Sequence, residues 1–282
     1  MRIKKASKDF SVEDLPKTRK EMFKDCLKNR YSDVFKLGLV LLLFSLPLII
    51  TLLFKDILIS NTYERYNEGL ITIEEATSIS YSYGLIFNLI MILGFVVLGI
   101  GLSGIYRIVR QMVWMEGIIF LNEFKYGIKK NWFSFSIIFF VVGLINVLCF
   151  FILKTNISIQ FLRVLPIFIS LFILMPIGLY LMSEIIVYKN TILGYLKGAL
   201  IFFAKSIPVS LLSILIVSLP IFTYFISFIS IKYLLIVLYI LFVYPIFILF
   251  FILYSFEQFD KLINIKDYPE LVNRGLNISK RE

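Results

Sequence analysis

The stretch LGLVLLLFSLPLIITLLF, Leu37–Phe54, decides the fold. It contains no charged residue, and about 20 apolar residues in a helix cross the roughly 30 Å hydrocarbon core of a membrane. The whole chain of 282 residues is 59% hydrophobic and 17% charged, whereas a soluble domain is about half apolar and about a quarter charged. More than thirty mostly polar residues precede this run, so we expect a retained transmembrane helix and not a signal peptide. The sequence therefore predicts an integral membrane protein.

Five further apolar runs of similar length follow the first. The six predicted spans cover approximately residues 37–54, 83–106, 133–153, 164–188, 207–231 and 233–256. Lipid satisfies no backbone N–H or C=O group, so each span must be a helix. The runs are also about twice as long as the strands of outer-membrane barrels. The predicted fold class is all-α: a polytopic membrane protein whose six transmembrane helices form three hairpins.

Basic residues are concentrated on one side of these spans. They number eleven in residues 1–36, five in the loop 107–132, three in the loop 189–206 and five after Phe256, against five on the opposite side. The positive-inside rule therefore places both termini in the cytoplasm, as in a bacterial plasma-membrane protein. The net charge of +10 therefore reflects the topology, together with the attraction of basic segments to anionic lipid headgroups. We expect no nucleic-acid partner.

Three domains follow from this pattern. We predict a basic segment 1–36 with an interfacial helix, a transmembrane domain 37–256, and a cytoplasmic tail 257–282. Within the second, the acidic residues 56–82 form an outer loop with a short amphipathic helix.

Three segments on the basic side resemble one another. They are FKDCLKNRY (Phe23–Tyr31), FKYGIKKNW (Phe124–Trp132) and YLKGALIFF (Tyr195–Phe203). Each begins with an aromatic residue, has Cys or Gly at its fourth position and leads into an odd-numbered span. We interpret them as cytoplasmic interfacial amphipathic helices, one before each hairpin, with lysines that reach the headgroups. The alternative is that interface chemistry alone selects basic and aromatic residues.

The second segment and the residues before it supply a candidate surface, here called the collar. We expect the collar to face lipid or a partner, and it consists of Trp114, Glu116, Glu123, Lys125, Lys129, Lys130 and Trp132.

Glu184 is the single carboxylate in the apolar window LYLMSEIIVY. Charges at membrane depth usually find partners. We therefore predict a structural ion pair with Arg107 or Arg110, and a proton or substrate role is the alternative. Asn88 and Asn146 lie in mid-span, where we expect them to form interhelical hydrogen bonds.

The chain lacks the residues of the common catalytic and metal sites. It contains no histidine, and Cys26 and Cys149 stand alone in different segments, so His-dependent triads and the usual zinc ligands are excluded. No Gly-rich phosphate loop or HExxH motif occurs. We therefore expect no enzymatic activity, no cofactor and no metal.

The stretch GLSGIYRIVRQMVWMEGIIFLNEFKYGIKKNWFSF, Gly101–Phe135, resembles the YesL-like family of bacterial membrane proteins, a domain of unknown function. The shared features are a small-residue span end, an aromatic–Arg–x–x–Arg motif, a tryptophan, a Glu-Phe pair and Gly–x–Lys–Lys–Asn. The resemblance implies an accessory role in carbohydrate uptake, with the permease or ATPase of an ABC importer as partner. It carries over no catalytic residue. A second, weaker resemblance is to membrane domains that precede glycerophosphodiester phosphodiesterases.

A different function also fits the spans. Five prolines lie inside them, namely Pro47, Pro166, Pro176, Pro220 and Pro245. Interior prolines kink helices, and kinked helices often line cavities. The alternative is therefore a stand-alone small-solute transporter or permease.

Overall fold

The computed structural model describes residues 16–154 and 160–277. This part of the chain is helical and contains no strand. Its eight helices are α1 (Arg19–Asn29), α2 (Tyr31–Asn67), α3 (Ile73–Val113), α4 (Phe120–Lys154), α5 (Phe161–Ile185), α6 (Ile192–Lys205), α7 (Ile207–Phe225) and α8 (Ile229–Asp267). Six of these, α2 to α5 with α7 and α8, are long and apolar enough to cross a membrane. The predicted all-α class and number of spans are confirmed, and the chain is a multi-pass membrane protein.

The predicted outer loop 56–82 is not a separate element. Helix α2 continues to Asn67, and α3 begins at Ile73 after a short turn. A capping box starts α3: the Thr72 hydroxyl accepts from the Glu75 N–H, and the Glu75 carboxylate accepts from the Thr72 N–H. The prediction followed the apolar runs, which indicate only the part of a helix that lies in lipid. It therefore missed the polar helical turns at the end of α2 and at the start of α3.

Other helix boundaries also differ from the prediction. The segment Phe124–Trp132 is not a separate helix, because α4 runs without a break from Phe120 to Lys154. The fifth span ends at Phe225 and not near residue 231, and Pro220 lies in its tightly wound 3₁₀ end. Helix α8 extends beyond the predicted sixth span to Asp267, so part of the predicted tail is helical.

Two prolines coincide with widened helical turns. Pro176 follows the wide turn Ser170–Leu174 in α5, and Pro245 follows the wide turn Tyr239–Val243 in α8. Proline lacks an N–H, and its ring clashes with the carbonyl of the residue four positions earlier, so the helix widens or bends there. Pro47, by contrast, lies inside α2 without interrupting it.

Glycines let α3 pack closely between α2 and α4. A Cβ at Gly94 would lie 2.8 Å from the Leu48 side chain of α2. A Cβ at Gly101 would overlap Phe44 of α2, and one at Gly104 would overlap Phe124 of α4. Small residues are what allow close helix contact in membranes.

Mid-span asparagines join α3 to α4. The Asn146 side-chain amide donates to Asn88 Oδ1 at 3.0 Å, and Asn88 in turn donates to the Gly84 carbonyl. The predicted interhelical hydrogen bond is confirmed.

Both ends of the described chain meet at one end of the bundle. The backbone N–H of Asn277 donates to the Pro16 carbonyl at 2.9 Å. Helix α1, the loop 114–119, the first turns of α4, helix α6 and residues 268–277 all lie here, and we call this end the basic face. An even number of spans requires that the two terminal regions share a face.

Candidate functional site

A buried ion pair anchors α1 to the end of α8. The Arg19 guanidinium lies 2.8 Å from Asp260 Oδ2, with side chains only 8% and 10% exposed. Arg19 also donates to the Arg274 carbonyl, and the Asn264 amide donates to Asp260 Oδ1 at 2.7 Å. These two hydrogen bonds add to the ion pair in compensating the buried charges, and Arg19 Nε has no hydrogen-bond partner among the described residues.

Trp114 lies between two arginine side chains. The guanidinium of Arg110 is 4.3 Å from the ring centroid and that of Arg274 is 4.1 Å away. Arg274 also pairs with Glu116 at 2.8 Å, while Arg110 donates to the Ile186 carbonyl at 2.7 Å. These contacts fix the C-terminal residues 268–277 over the end of α3 and join α3 to the end of α5.

Gly275 permits this approach of the C-terminal residues. Its φ is +87°, and a Cβ there would overlap the Val113 carbonyl. A residue with a side chain would be strained by both the conformation and the contact.

A third ion pair holds the start of α4 on α3. Arg107 Nε donates to Glu123 Oε2 at 3.1 Å, and the guanidinium lies 4.9 Å from the Tyr126 ring centroid. Gly127 lies against the same turn, because a Cβ there would be 2.6 Å from Arg107 Cβ and 3.0 Å from Gly104 Cα. Charge and close packing together fix the first turns of α4.

The structure divides the predicted collar into two sets. Trp114, Glu116 and Glu123 make the internal contacts just described. The other four collar residues are exposed, namely Lys125, Lys129, Lys130 and Trp132. None of these three lysines forms an ion pair within residues 16–154 and 160–277.

Glu184 is not brought together with either arginine proposed as its partner. Arg107 pairs with Glu123, and Arg110 binds a backbone carbonyl. Glu184 is 2% exposed, and its Oε1 has no hydrogen-bond partner in the described part of the chain. Its carboxylate lies against α6, where a Cβ at Gly198 would be 2.5 Å from Oε2. The structure thus buries a carboxylate next to a glycine.

Tyr188, four residues after Glu184, forms two hydrogen bonds near the end of α5. Its hydroxyl donates to Asn264 Oδ1 at 2.6 Å, and its carbonyl accepts from the Tyr195 hydroxyl at 2.9 Å. Burial raises the pKa of the Tyr188 hydroxyl, and the nearby carboxylates of Asp260 and Glu184 raise it further. This tyrosine therefore acts as a neutral hydrogen-bond donor that joins α5 to α8.

The fourth position of each similar segment points inward. Cys26 of α1 is fully buried, Gly127 lies on α3, and Gly198 lies on α5. Helix α1 itself packs on α8, with the rings of Phe23 and Phe250 6.3 Å apart. The three segments therefore rest on the sixth, second and fourth spans respectively. Burial raises the pKa of the Cys26 thiol to about 11.

Several residues of this network were not predicted from the sequence. Arg19 and Asp260 are 241 positions apart, and Arg274 and Glu116 are 158 apart. An available signal was Asp260, an acid four residues after the predicted end of the last span at Phe256. Nothing in the spacing identified Arg19 as its partner among the basic residues of the N-terminal segment.

The ion pairs and arginine–tryptophan contacts of the basic face hold helices and connecting segments in position. Across residues 16–154 and 160–277, no three metal-binding side chains of the His, Cys, Asp or Glu type come together. Comparison of the chain with protein-family models, curated protein sequences and solved structures found no match.

Proposed function

We propose that this chain is a non-enzymatic accessory or scaffold protein of the bacterial cell membrane. It supports a carbohydrate ABC importer by binding the permease or ATPase through the basic face. The importer as partner follows from the resemblance to the YesL-like family. In this proposal both termini and the basic face are cytoplasmic, and the six spans form three hairpins, each with an interfacial segment.

The observation that supports the proposal is that the basic face is cross-connected. Two ion pairs link segments far apart in the sequence, Arg19 with Asp260 and Arg274 with Glu116. A third, Arg107 with Glu123, joins the consecutive helices α3 and α4. A surface that is already ordered loses less conformational entropy when it binds a partner. This favours a docking role over a set of loops that merely connect spans.

Affinity purification of the full chain tests the proposal. The chain would be cross-linked in its native membranes, solubilised in mild detergent and analysed by mass spectrometry. We expect an importer permease or ATPase to be enriched over abundant membrane proteins. Arg274→Ala, which removes contacts to both Trp114 and Glu116, should reduce the enrichment, whereas the exposed control Lys20→Ala should not. Absence of any importer component from the cross-linked sample would refute the proposal.

Glu184 supports a second candidate, a stand-alone small-solute transporter. An ionisable residue buried at membrane depth is a frequent mark of an ion or proton pathway, and Glu184 forms no ion pair within residues 16–154 and 160–277. It lies on α5, one of the helices that the prolines distort. Uptake of labelled solutes into proteoliposomes, which Glu184→Gln should abolish without loss of protein, is the test. Uptake no faster than in empty liposomes across a panel of sugars and amino acids would count against it.

A further inference from the structure

The three similar segments expose different kinds of surface. The exposed residues of α1 are polar or charged, namely Lys20, Glu21, Lys24, Lys28 and Asn29. The exposed residues of α6 are mainly apolar, including Ile192, Leu193, Leu196, Leu200 and Ile201. These faces suit water and hydrocarbon respectively.

The start of α4 exposes both kinds of residue together. Its outward side carries Lys125, Lys129 and Lys130 among apolar and aromatic side chains, and we call these three residues the lysine patch. The neighbouring exposed residues are Leu121, Tyr126, Trp132 and Phe133. The opposite side is packed on α3 through Gly127. A mixed surface of lysine and aromatic residues suits the headgroup layer, where the aliphatic part of lysine lies along apolar groups and its ammonium reaches phosphate.

The positive charge of the lysine patch is not neutralised within the described protein. The one carboxylate of this stretch, Glu123, is paired with Arg107, and none of the three lysines forms an ion pair there. On α1, in contrast, Glu21 and Asp25 stand between the lysines. The three lysines of the patch have no acidic residue beside them that is not already paired, whereas the three exposed lysines of α1 have two acids among them, so the positive charge of the patch is the less compensated.

We propose that the lysine patch, with Trp132 beside it, binds the headgroups of anionic phospholipids. Charge complementarity selects the phosphate-bearing anionic lipid, and the exposed aromatic rings keep the patch at the interface. Trp132 lies three residues after Lys129, a spacing that places the two side chains next to each other on a helix. This inference is independent of the proposed importer partner.

The two tryptophans of the chain make the proposal testable by fluorescence. Trp114 is stacked between arginines, whereas Trp132 is 47% exposed. The full chain would be reconstituted in phosphatidylcholine vesicles that contain a minor fraction of either brominated phosphatidylglycerol or brominated phosphatidylcholine. Bromine on the acyl chains quenches a tryptophan that has that lipid as its neighbour.

We expect brominated phosphatidylglycerol to quench at least about twice as strongly as brominated phosphatidylcholine at equal fraction, since each lysine near the surface attracts anionic lipid. The excess should disappear in the triple variant Lys125→Gln, Lys129→Gln, Lys130→Gln, and it should decrease with salt. The matched triple variant Lys20→Gln, Lys24→Gln, Lys28→Gln on α1 should retain it. In Trp132→Phe the lipid-dependent quenching should be lost, which assigns the signal to this tryptophan.

Three outcomes would overturn the proposal. The first is equal quenching by the two brominated lipids in the unmodified chain. The second is an excess that inorganic phosphate removes and chloride of the same ionic strength does not, because the patch would then prefer free phosphate to the lipid. An excess that persists in the α4 triple variant would place the anionic lipid elsewhere and also reject the assignment.

Discussion

Helices α1 and α6 share an aromatic residue followed three positions later by Cys or Gly, and each precedes a span, but they are attached to the bundle in different ways. Helix α1 rests on α8 through the buried pair of Arg19 and Asp260, and its outer side is polar. Helix α6 rests on α5 through Gly198, which lies against the buried carboxylate of Glu184, and its outer side is apolar. The comparison teaches that a shared pattern does not determine how a segment is attached: α1 is held by a charge pair from a residue outside the pattern, Arg19, whereas α6 is held by close packing at the fourth position of the pattern, Gly198.

The largest expected effect is at the α1 contact. Arg19→Ala leaves Asp260 as an uncompensated buried charge, so we expect a loss of about 3–5 kcal/mol in the free energy of unfolding. Thermal unfolding in detergent, followed by tryptophan fluorescence, measures it. The adjacent exposed Lys20→Ala is the control and should be close to neutral. Replacing both members of the pair, as in Arg19→Met with Asp260→Leu, should recover most of the loss. Equal melting of Arg19→Ala and the parent chain would show that the pair does not hold α1.

A smaller effect is expected at the α6 contact. In Gly198→Ala the new methyl group would lie 2.5 Å from Glu184 Oε2, so we expect a loss of about 1–3 kcal/mol from overpacking. Gly178→Ala is the matched control, since a Cβ at Gly178 meets nothing within 4 Å. The second substitution Glu184→Ala should remove most of the penalty, because the two positions are in contact. The same loss in Gly198→Ala with and without Glu184 would contradict the described contact.

The rate at which the Cys26 thiol is labelled distinguishes loss of the α1 contact from loss of the α6 contact. With a pKa of about 11, the buried Cys26 thiol is almost entirely protonated at pH 8, so maleimide should react at least about 100-fold more slowly than with the unfolded chain. The rate should rise about tenfold per pH unit up to that pKa. We expect Arg19→Ala to accelerate labelling of Cys26 and Gly198→Ala to leave it unchanged. Cys149→Ser removes the other thiol from the assay. Rapid labelling of the parent chain at pH 8 would contradict the burial of Cys26.

The same pKa shift gives a pH dependence of stability with a defined sign. Because the folded state binds the Cys26 proton more tightly than the unfolded state, folding is destabilised as pH rises above the ordinary thiol pKa toward about 11. Cys26→Ala should remove this part of the alkaline slope.

The smallest effect is expected on the outer side of α1. The triple variant Lys20→Gln, Lys24→Gln, Lys28→Gln changes exposed residues only, so the free energy of unfolding should change by no more than about 0.5 kcal/mol. Denaturation of the purified variant beside the parent chain measures this. A loss above about 1 kcal/mol would mean that the outer side of α1 is covered by protein and would remove the contrast with α6.

The sequence by itself determined the helical class and the number of spans, and it predicted that Asn88 and Asn146 form interhelical hydrogen bonds; that they bond to each other is shown by the structure. Long uncharged runs require helices because lipid leaves no other way to satisfy the backbone. Hydropathy did not determine where helices end, since α2 and α3 continue beyond the apolar runs at residues 56–82. A helix needs only its own hydrogen bonds and a cap to extend into water.

Only the tertiary structure decided which charges meet. Arg107 and Arg110 both lie at about the same predicted membrane depth as Glu184. In the structure, however, Arg107 pairs with Glu123, and Arg110 donates to the Ile186 carbonyl. The partners Arg19 and Asp260 are at opposite ends of the chain and come together because α1 packs on α8. Depth can be estimated from hydropathy along one helix, whereas pairing depends on the rotation and contact of several helices, which no local pattern records.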